Sequence, residues 1–352
     1  MQIPDGGMNF NSCPALVEKI DKAWEEREGQ VKPRPYLGIS SLGYKCPRRL
    51  WLQFRWIFKD EKSGRMYRLL NVGHREEDVA AENLKMAGLE LQFIGDNQME
   101  YDFGYHIKGH PDGLILSGVP GAEKTKHIWE NKTSNKKNFD ALVKAQSVQT
   151  AKPEHYAQMQ LEMLGSKMFL GYQVDRALYT VLCKDNSELY AERVKFDLEL
   201  ALFLLDRGKQ ITMAEELPKE VLSHDPGWFE CKMCPAWRFC HQDHMAETVT
   251  CRSCCHSTPK ENGTWECSIW NDTIPLDIQY KGCQAHCFHP ELVPWEFDSR
   301  RSTERSAYYW IDKETGFGIL NGIDGIPSTR ILEVYENGTV KGLSRESNSV
   351  PF

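Results

Sequence analysis

The spacing of hydrophobic positions changes twice along this chain, and the changes divide it into three stretches. Up to residue 88 they recur at helical spacing. Residues 14–28 set Leu16, Val17, Ile20 and Trp24 on one face behind Pro14, a residue suited to a first helical turn. Residues 46–57 carry Leu50, Trp51, Phe54 and Ile57 in the same rhythm, so Cys46 stands at a helix start. A third helical pattern covers 66–86, with Gly88 as its stop. The rhythm then shortens. Residues 89–117 alternate between turns and predict four consecutive antiparallel strands, at 89–94, 99–103, 105–108 and 113–116. A strand over 127–133, helices around 138–147 and 154–165, strands over 174–183 and 189–196, and a helix over 197–216 follow. This order predicts an α+β (mixed α/β) fold with a central mixed sheet flanked by helices. Past a boundary placed near 245 the periodicity fades. Residues 251–290 are rich in Cys and His, and 300–343 read as short strands with turns at Gly316, Gly318, Gly322, Gly325 and Asn337-Gly338. Two units are therefore expected, 1–245 and 246–352, the second a small Cys-rich module with little core of its own.

A chain of 352 residues can bury a substantial core. No apolar run approaches the ~20 residues of a membrane span, and Met1–Asn11 lacks the basic-then-apolar pattern of a leader, so a cytoplasmic protein without a membrane partner is expected. The net charge of −7 does not advertise nucleic-acid binding. A protein that tracks one strand needs only a basic channel, for which Lys45, Arg48, Arg49 and Arg55, then Lys132, Lys136, Lys137 and Lys144, are candidates.

Three charged residues suggest chemistry. Asp112 follows Pro111 at the start of one predicted strand, and Glu130 and Lys132 share a face of the next. If the strands pair, Asp112 joins that face. Hard divalent cations take carboxylate oxygens, and a lysine beside them can orient water and stabilise developing negative charge. Pro111-Asp112 with Glu130-Asn131-Lys132 resembles the signature of the PD-(D/E)XK nuclease superfamily, whose restriction-endonuclease-like core the resemblance implies here. In RecB-like and lambda-exonuclease-like members a Gly-x3-Glu or Gly-x3-His element adds a metal contact. Gly73-His74-Arg75-Glu76-Glu77 resembles it, with Glu77 at the required spacing and His74 the lesser choice. Tyr156-Ala157-Gln158-Met159-Gln160 resembles the glutamine helix of the same families, which implies roles at water and phosphate for Gln160 first, Gln158 second, and Tyr156. The resemblance also assigns Mg2+ or Mn2+ to Glu77, Asp112, Glu130 and the backbone carbonyl of Asn131.

Cysteines are concentrated between Cys231 and Cys287. In a reducing compartment such clustering favours metal ligation over disulfides. Cys46, in Cys-Pro-Arg-Arg-Leu-Trp, together with the C-x2-C-x5-C of Cys231, Cys234 and Cys240, resembles the iron–sulfur nucleases of the AddB and CRISPR-adaptation type over residues 36–241. That resemblance implies a structural [4Fe–4S] cluster on these four thiolates; zinc on the same ligands is the alternative. A second set, Cys251, Cys254, Cys267 and Cys283, with His286 as alternate ligand, predicts a structural Zn2+ site. His256 and Cys287 are less favoured ligands, and Cys13, Cys183 and Cys255 are expected to be buried thiols without partners.

No P-loop motif is present in these residues, so a fused helicase motor is not expected. The expected function is a Mg2+- or Mn2+-dependent DNA exonuclease in recombination, repair or end processing. The resemblance points to a phage or mobile-element enzyme that acts on single-stranded DNA or duplex ends, with a recombinase or single-strand-binding protein as partner and a homo-oligomer as an open form. The alternatives are a structure-specific endonuclease that trims ends, and a non-catalytic DNA-binding assembly module.

Overall fold

The structure is a computed structural model that describes residues 13–59, 61–336 and 338–343. The Met1–Asn11 start and Asn337 of the expected Asn-Gly turn lie outside these residues. Helix α1 (Pro14–Gly29) is followed by a two-residue strand β1 (Leu37–Gly38), helix α2 (Pro47–Phe54) and the long helix α3 (Gly64–Met86). Their starts are written in the sequence. Pro14 and Pro47 occupy first turns, and the Ser63 hydroxyl accepts from the Met66 N–H. Gly88, at φ +88°, takes the left-handed conformation that ends α3.

Strands β2 (Glu90–Gln92), β3 (Tyr101–Asp102), β4 (Ile107–Gly109) and β5 (Gly113–Ser117) come next. They do not form one meander. β2 pairs with β5, whereas β3 and β4 form a separate small sheet with β1, which adds in parallel to β4. A two-residue strand such as β1 has no alternation to detect, so periodicity assigns the strands without assigning the sheets.

Strand β6 (His127–Ser134) leads into helices α4 (Lys136–Ala145), α5 (Val148–Ala151) and α6 (Pro153–Phe169), then strands β7 (Arg176–Cys183) and β8 (Leu189–Lys195) and helix α7 (Leu198–Met213). The main sheet has the order β2-β5-β6-β7-β8 and is antiparallel except at β6–β7. A parallel pair needs a long crossover, here α4 to α6. The chain thus adopts the expected α+β organisation, a mixed sheet flanked by helices.

Helix α6 is the structural centre, with every residue from Ala157 to Ser166 buried. Its close approach to β3 depends on Gly165, where an added Cβ would overlap the Tyr101 ring. The next residue fixes the same contact, since Tyr101 Oη and Ser166 Oγ lie 2.7 Å apart. Polar groups buried on such a helix must find partners. Gln160 does so completely: its Nε2 donates to the Lys195 carbonyl at 3.1 Å and its Oε1 accepts from the Asp197 N–H at 2.7 Å, which ties α6 to the β8–α7 junction.

Short elements follow: α8 (Phe229–Lys232), α9 (Trp237–His241), β9 (Ser257–Pro259), β10 (Trp265–Cys267), β11 (Asp272–Thr273), α10 (Leu276–Gln279), β12 (Glu296–Phe297), β13 (Ser306–Asp312), β14 (Phe317–Gly322), α11 (Ser328–Val334), and the pair β15 (Tyr335–Glu336) and β16 (Thr339–Val340). These pack on the N-terminal segment around Arg252. Only 1% exposed, Arg252 donates to the carbonyls of Phe54 at 3.1 Å and Pro35 at 2.8 Å and to Gln279 Oε1 at 3.1 Å, with its guanidinium 3.9 Å from the Trp56 ring centroid. Among the described residues, no helix is long and apolar enough to cross a membrane.

Candidate active site and thiol clusters

Antiparallel pairing of β5 with β6 puts Gly113 opposite Trp129. One step further in that register sets Asp112 across from Glu130. Asp112 Oδ2 accepts from the Asn131 N–H at 2.7 Å, and Lys132 forms an ion pair with Glu130. Alternation turns Trp129 and Asn131 the other way. There Trp129 Nε1 donates to Thr180 Oγ1, which donates to Asn131 Oδ1, each at 2.8 Å. Helix α3 packs Ala81 into the small core around Trp129, and Glu77, about one turn earlier, reaches the acidic side. Burial, then the charge of Glu130, raises the Glu77 pKa, while Gln98 Nε2 donates to its carboxylate. Glu77, Asp112, Glu130 and Lys132 therefore meet from three elements.

A further carboxylate joins them that the sequence reading missed. Glu162 on α6 is fully buried, and its Oε1 accepts from Gln158 Nε2 at 2.8 Å. Burial, then Glu130 and Asp112, pushes its pKa well up. Asp112 is likewise pushed well up by burial and Glu130. Burial works against the Lys132 ammonium, but Glu130 and Asp112 outweigh it and hold its pKa above the ordinary value. His155 completes this face of α6. Its Nδ1 lies 2.6 Å from Tyr179 Oη, and burial with Lys132 and Lys152 nearby lowers its pKa to about 3. The available signal was a polar stripe, His155, Gln158, Glu162 and Ser166, at helical spacing through an otherwise buried helix.

The same helix separates the other candidates. Gln160 is held at the β8–α7 junction, and Tyr156 is raised by burial and then by Asp197 and Glu192, away from the acidic group. Neither is brought to the centre; Gln158 is. His74 is exposed on α3. The basic channel is also redrawn. Arg55 is 2% exposed, with Nη1 donating to the Arg252 carbonyl, and Arg48 Nε donates to the Pro218 carbonyl. Lys152 lies close enough to His155 to help lower its pKa.

Four carboxylates here share one ammonium. Apart from the Lys132 ion pair, neither Glu130 oxygen has a hydrogen-bond partner, and Glu162 Oε2 is also buried without one. A hard divalent cation fits this donor set and relieves its repulsion. Among the described residues, no three of these carboxylates bring oxygens within 4.8 Å of one another.

The first thiol quartet assembles across the chain. Cys46 caps α2. Burial raises the Cys231, Cys234 and Cys240 pKa values, and Cys46 adds to each; Cys240 reaches about 11 despite Arg48 beside it. Arg48 and Arg49 thus face this quartet.

The second quartet lines a cavity of about 60 Å3: Cys251, Cys254, Cys267 and Cys283 all border it. Burial, then the other three thiols, pushes Cys251 up to about 12. His286 borders the cavity too, but its Nε2 lies 3.0 Å from Ser253 Oγ and its Nδ1 2.7 Å from Ser328 Oγ, so both nitrogens are engaged. Among the described residues neither quartet closes three sulfurs within 4.8 Å, whereas Cys255, His256 and Cys287 do close their ligand atoms within that distance. Cys255 is therefore not the partnerless thiol expected. Cys13 is exposed rather than buried, and Cys183 is buried as expected.

No family model matches this chain, and no curated protein matches it. Solved structures similar to it include an alkaline exonuclease, LHK-Exo, from Laribacter hongkongensis, at 15% identity and a TM-score of 0.35 over 55% of this chain and 90% of that one. The same enzyme in complex with dAMP gives 16%, 0.37, 54% and 90%. SSO0001 gives 16%, 0.35, 63% and 94%. Likeness at this level is loose, and the chemistry below rests on the residues themselves.

Proposed function

We propose that this chain is a divalent-metal-dependent deoxyribonuclease of the PD-(D/E)XK type that degrades DNA from ends. The observation that carries the reading is the convergence of Glu77, Asp112, Glu130 and Lys132 from α3, β5 and β6 on one acidic centre. Asp112 and Glu130 would hold Mg2+ or Mn2+, with Glu77 and the Asn131 carbonyl assisting. The bound ion supplies Lewis acidity at the scissile phosphate and a more acidic water. Lys132, 29% exposed in its side chain, reaches solvent while paired with buried Glu130, and so can orient the attacking water and stabilise developing charge. The Asn131 N–H fixes the Asp112 carboxylate. Gln158 steadies Glu162 and replaces Gln160 as the glutamine of the site.

Around this centre, Cys46, Cys231, Cys234 and Cys240 would carry a structural [4Fe–4S] cluster that ties α2 to α9. Cys251, Cys254, Cys267 and Cys283 would carry Zn2+, with Cys267 rather than His286 as fourth ligand because both His286 nitrogens are engaged. Residues 246–352 would form the zinc module, and DNA ends in recombination or repair would be the substrates.

The test is cleavage of linear and circular DNA with Mg2+ or Mn2+ by wild type and by Asp112→Asn and Lys132→Ala. Metal-dependent loss of linear but not circular DNA, abolished in both variants, supports the reading. Cutting of circular single strands would assign an endonuclease. DNA binding without cleavage would assign a non-catalytic module.

A further inference from the structure

Cys255, His256 and Cys287 bring one sulfur, one nitrogen and another sulfur within 4.8 Å of one another. Several contacts place them there. The Cys255 N–H donates to the Cys287 carbonyl at 2.8 Å, joining the two segments in register. The Ala307 N–H of β13 donates to Cys287 Sγ at 3.1 Å, as backbone donors do toward thiolate. His256 Nε2 is buried, Nδ1 lies 3.5 Å from Ser268 Oγ, and the ring also meets the Cys287 thiol and the Arg305 backbone. An imidazole gathered with two thiols at this spacing is a donor set that zinc takes.

We propose that Cys255, His256 and Cys287 form a second Zn2+ site, adjoining the cavity bordered by Cys251, Cys254, Cys267 and Cys283, to whose wall His256 also belongs. The three protein donors leave a fourth position to water, and the ion clips the Cys251–Ser257 turn to the segment around Cys287, which the Ala307 N–H holds to β13. The competing role for Cys287 is that of a neutral thiol donating to the Asn321 carbonyl, 2.8 Å from its sulfur. In that case no ion binds.

The inference concerns zinc content and is independent of the nuclease reading. The full chain is purified and analysed for zinc, as wild type, His256→Gln, Cys255→Ser and Cys283→Ser. Wild type is expected to hold two zinc ions per chain and each variant one. X-ray absorption at the zinc edge should show histidine nitrogen in wild type and in Cys283→Ser but not in His256→Gln. Circular dichroism and iron content, read on the same samples, identify any variant that has lost its fold. The half-exposed His256 position makes His256→Gln the decisive variant. A folded His256→Gln that keeps the wild-type zinc content, or a wild-type zinc shell made only of sulfur, would overturn the proposal.

Discussion

The acidic centre and the Arg252 junction both bury charge, and they treat it in opposite ways. Arg252 is 1% exposed and distributes its donors over Pro35, Phe54 and Gln279. Burial still lowers its pKa, to about 9, yet it remains a cation with partners. At the acidic centre Glu130 and Glu162 are 0% exposed, and three of their four oxygens have no hydrogen-bond donor, with Glu130 relieved by Lys132 alone. A protein that can satisfy a buried arginine so fully leaves carboxylates unsatisfied where something else completes them. Saturation marks a structural charge; deficit marks a place for a ligand.

Substitution can break that contrast at either end. Lys132→Ala should lower metal-dependent DNA cleavage by about 10²- to 10³-fold, read as single-turnover rate, because it removes the ammonium paired with Glu130. Unchanged cleavage would make the deficit meaningless for catalysis. Arg252→Gln should cost about 3 kcal/mol or more in urea denaturation, since two buried carbonyls and Gln279 lose their donor. Cleavage per folded molecule should survive. Gln160→Ala should cost about 1–2 kcal/mol by removing both hydrogen bonds to the β8–α7 junction, with Mn2+ affinity unchanged in calorimetry. A lost Mn2+ isotherm would return Gln160 to the site.

Glu162→Gln should do the reverse of Arg252→Gln. It removes a repelled charge and should raise metal-free stability by about 1 kcal/mol while weakening Mn2+ binding. The same repulsion sets a pH slope. Asp112 and Glu162 titrate above the ordinary carboxylate range in the folded state, so the unfolded chain releases their protons first. Metal-free stability should therefore fall as pH rises from about 4 through the raised values, and Mg2+ or the Glu162→Gln change should flatten the fall. A metal-free stability that climbs with pH across that window would contradict the buried deficit.

Helices and strand locations up to residue 213 were legible because their periods span many residues, and the shared face of Asp112, Glu130 and Lys132 was legible from strand parity; in 300–343, expected to be short strands, the seven-residue helix α11 (Ser328–Val334) was missed, and Gly318 lies within β14 rather than at a turn. What escaped was pairing at a distance. β1 is two residues long, and nothing local says that β2 should skip to β5. Gln160 and Glu162 are two residues apart on one buried helix, and only their partners, a backbone junction for one and a carboxylate group for the other, tell them apart. Arg48 and Arg55 read as channel cations because sequence does not show which carbonyls a guanidinium will meet. The Cys255–His256–Cys287 group was not legible, because it depends on how turns at 251–257 and 283–288 fold back on each other.

The contact between α6 and β3 sets a limit on how this sequence can diverge. No side chain fits at 165 while Tyr101 keeps its ring, and the Ser166 hydroxyl is matched to the Tyr101 phenol. In descendants of this chain, residues 101, 165 and 166 should therefore change together. A lineage that gains alanine at 165 should carry a smaller residue at 101 and have lost its hydroxyl at 166.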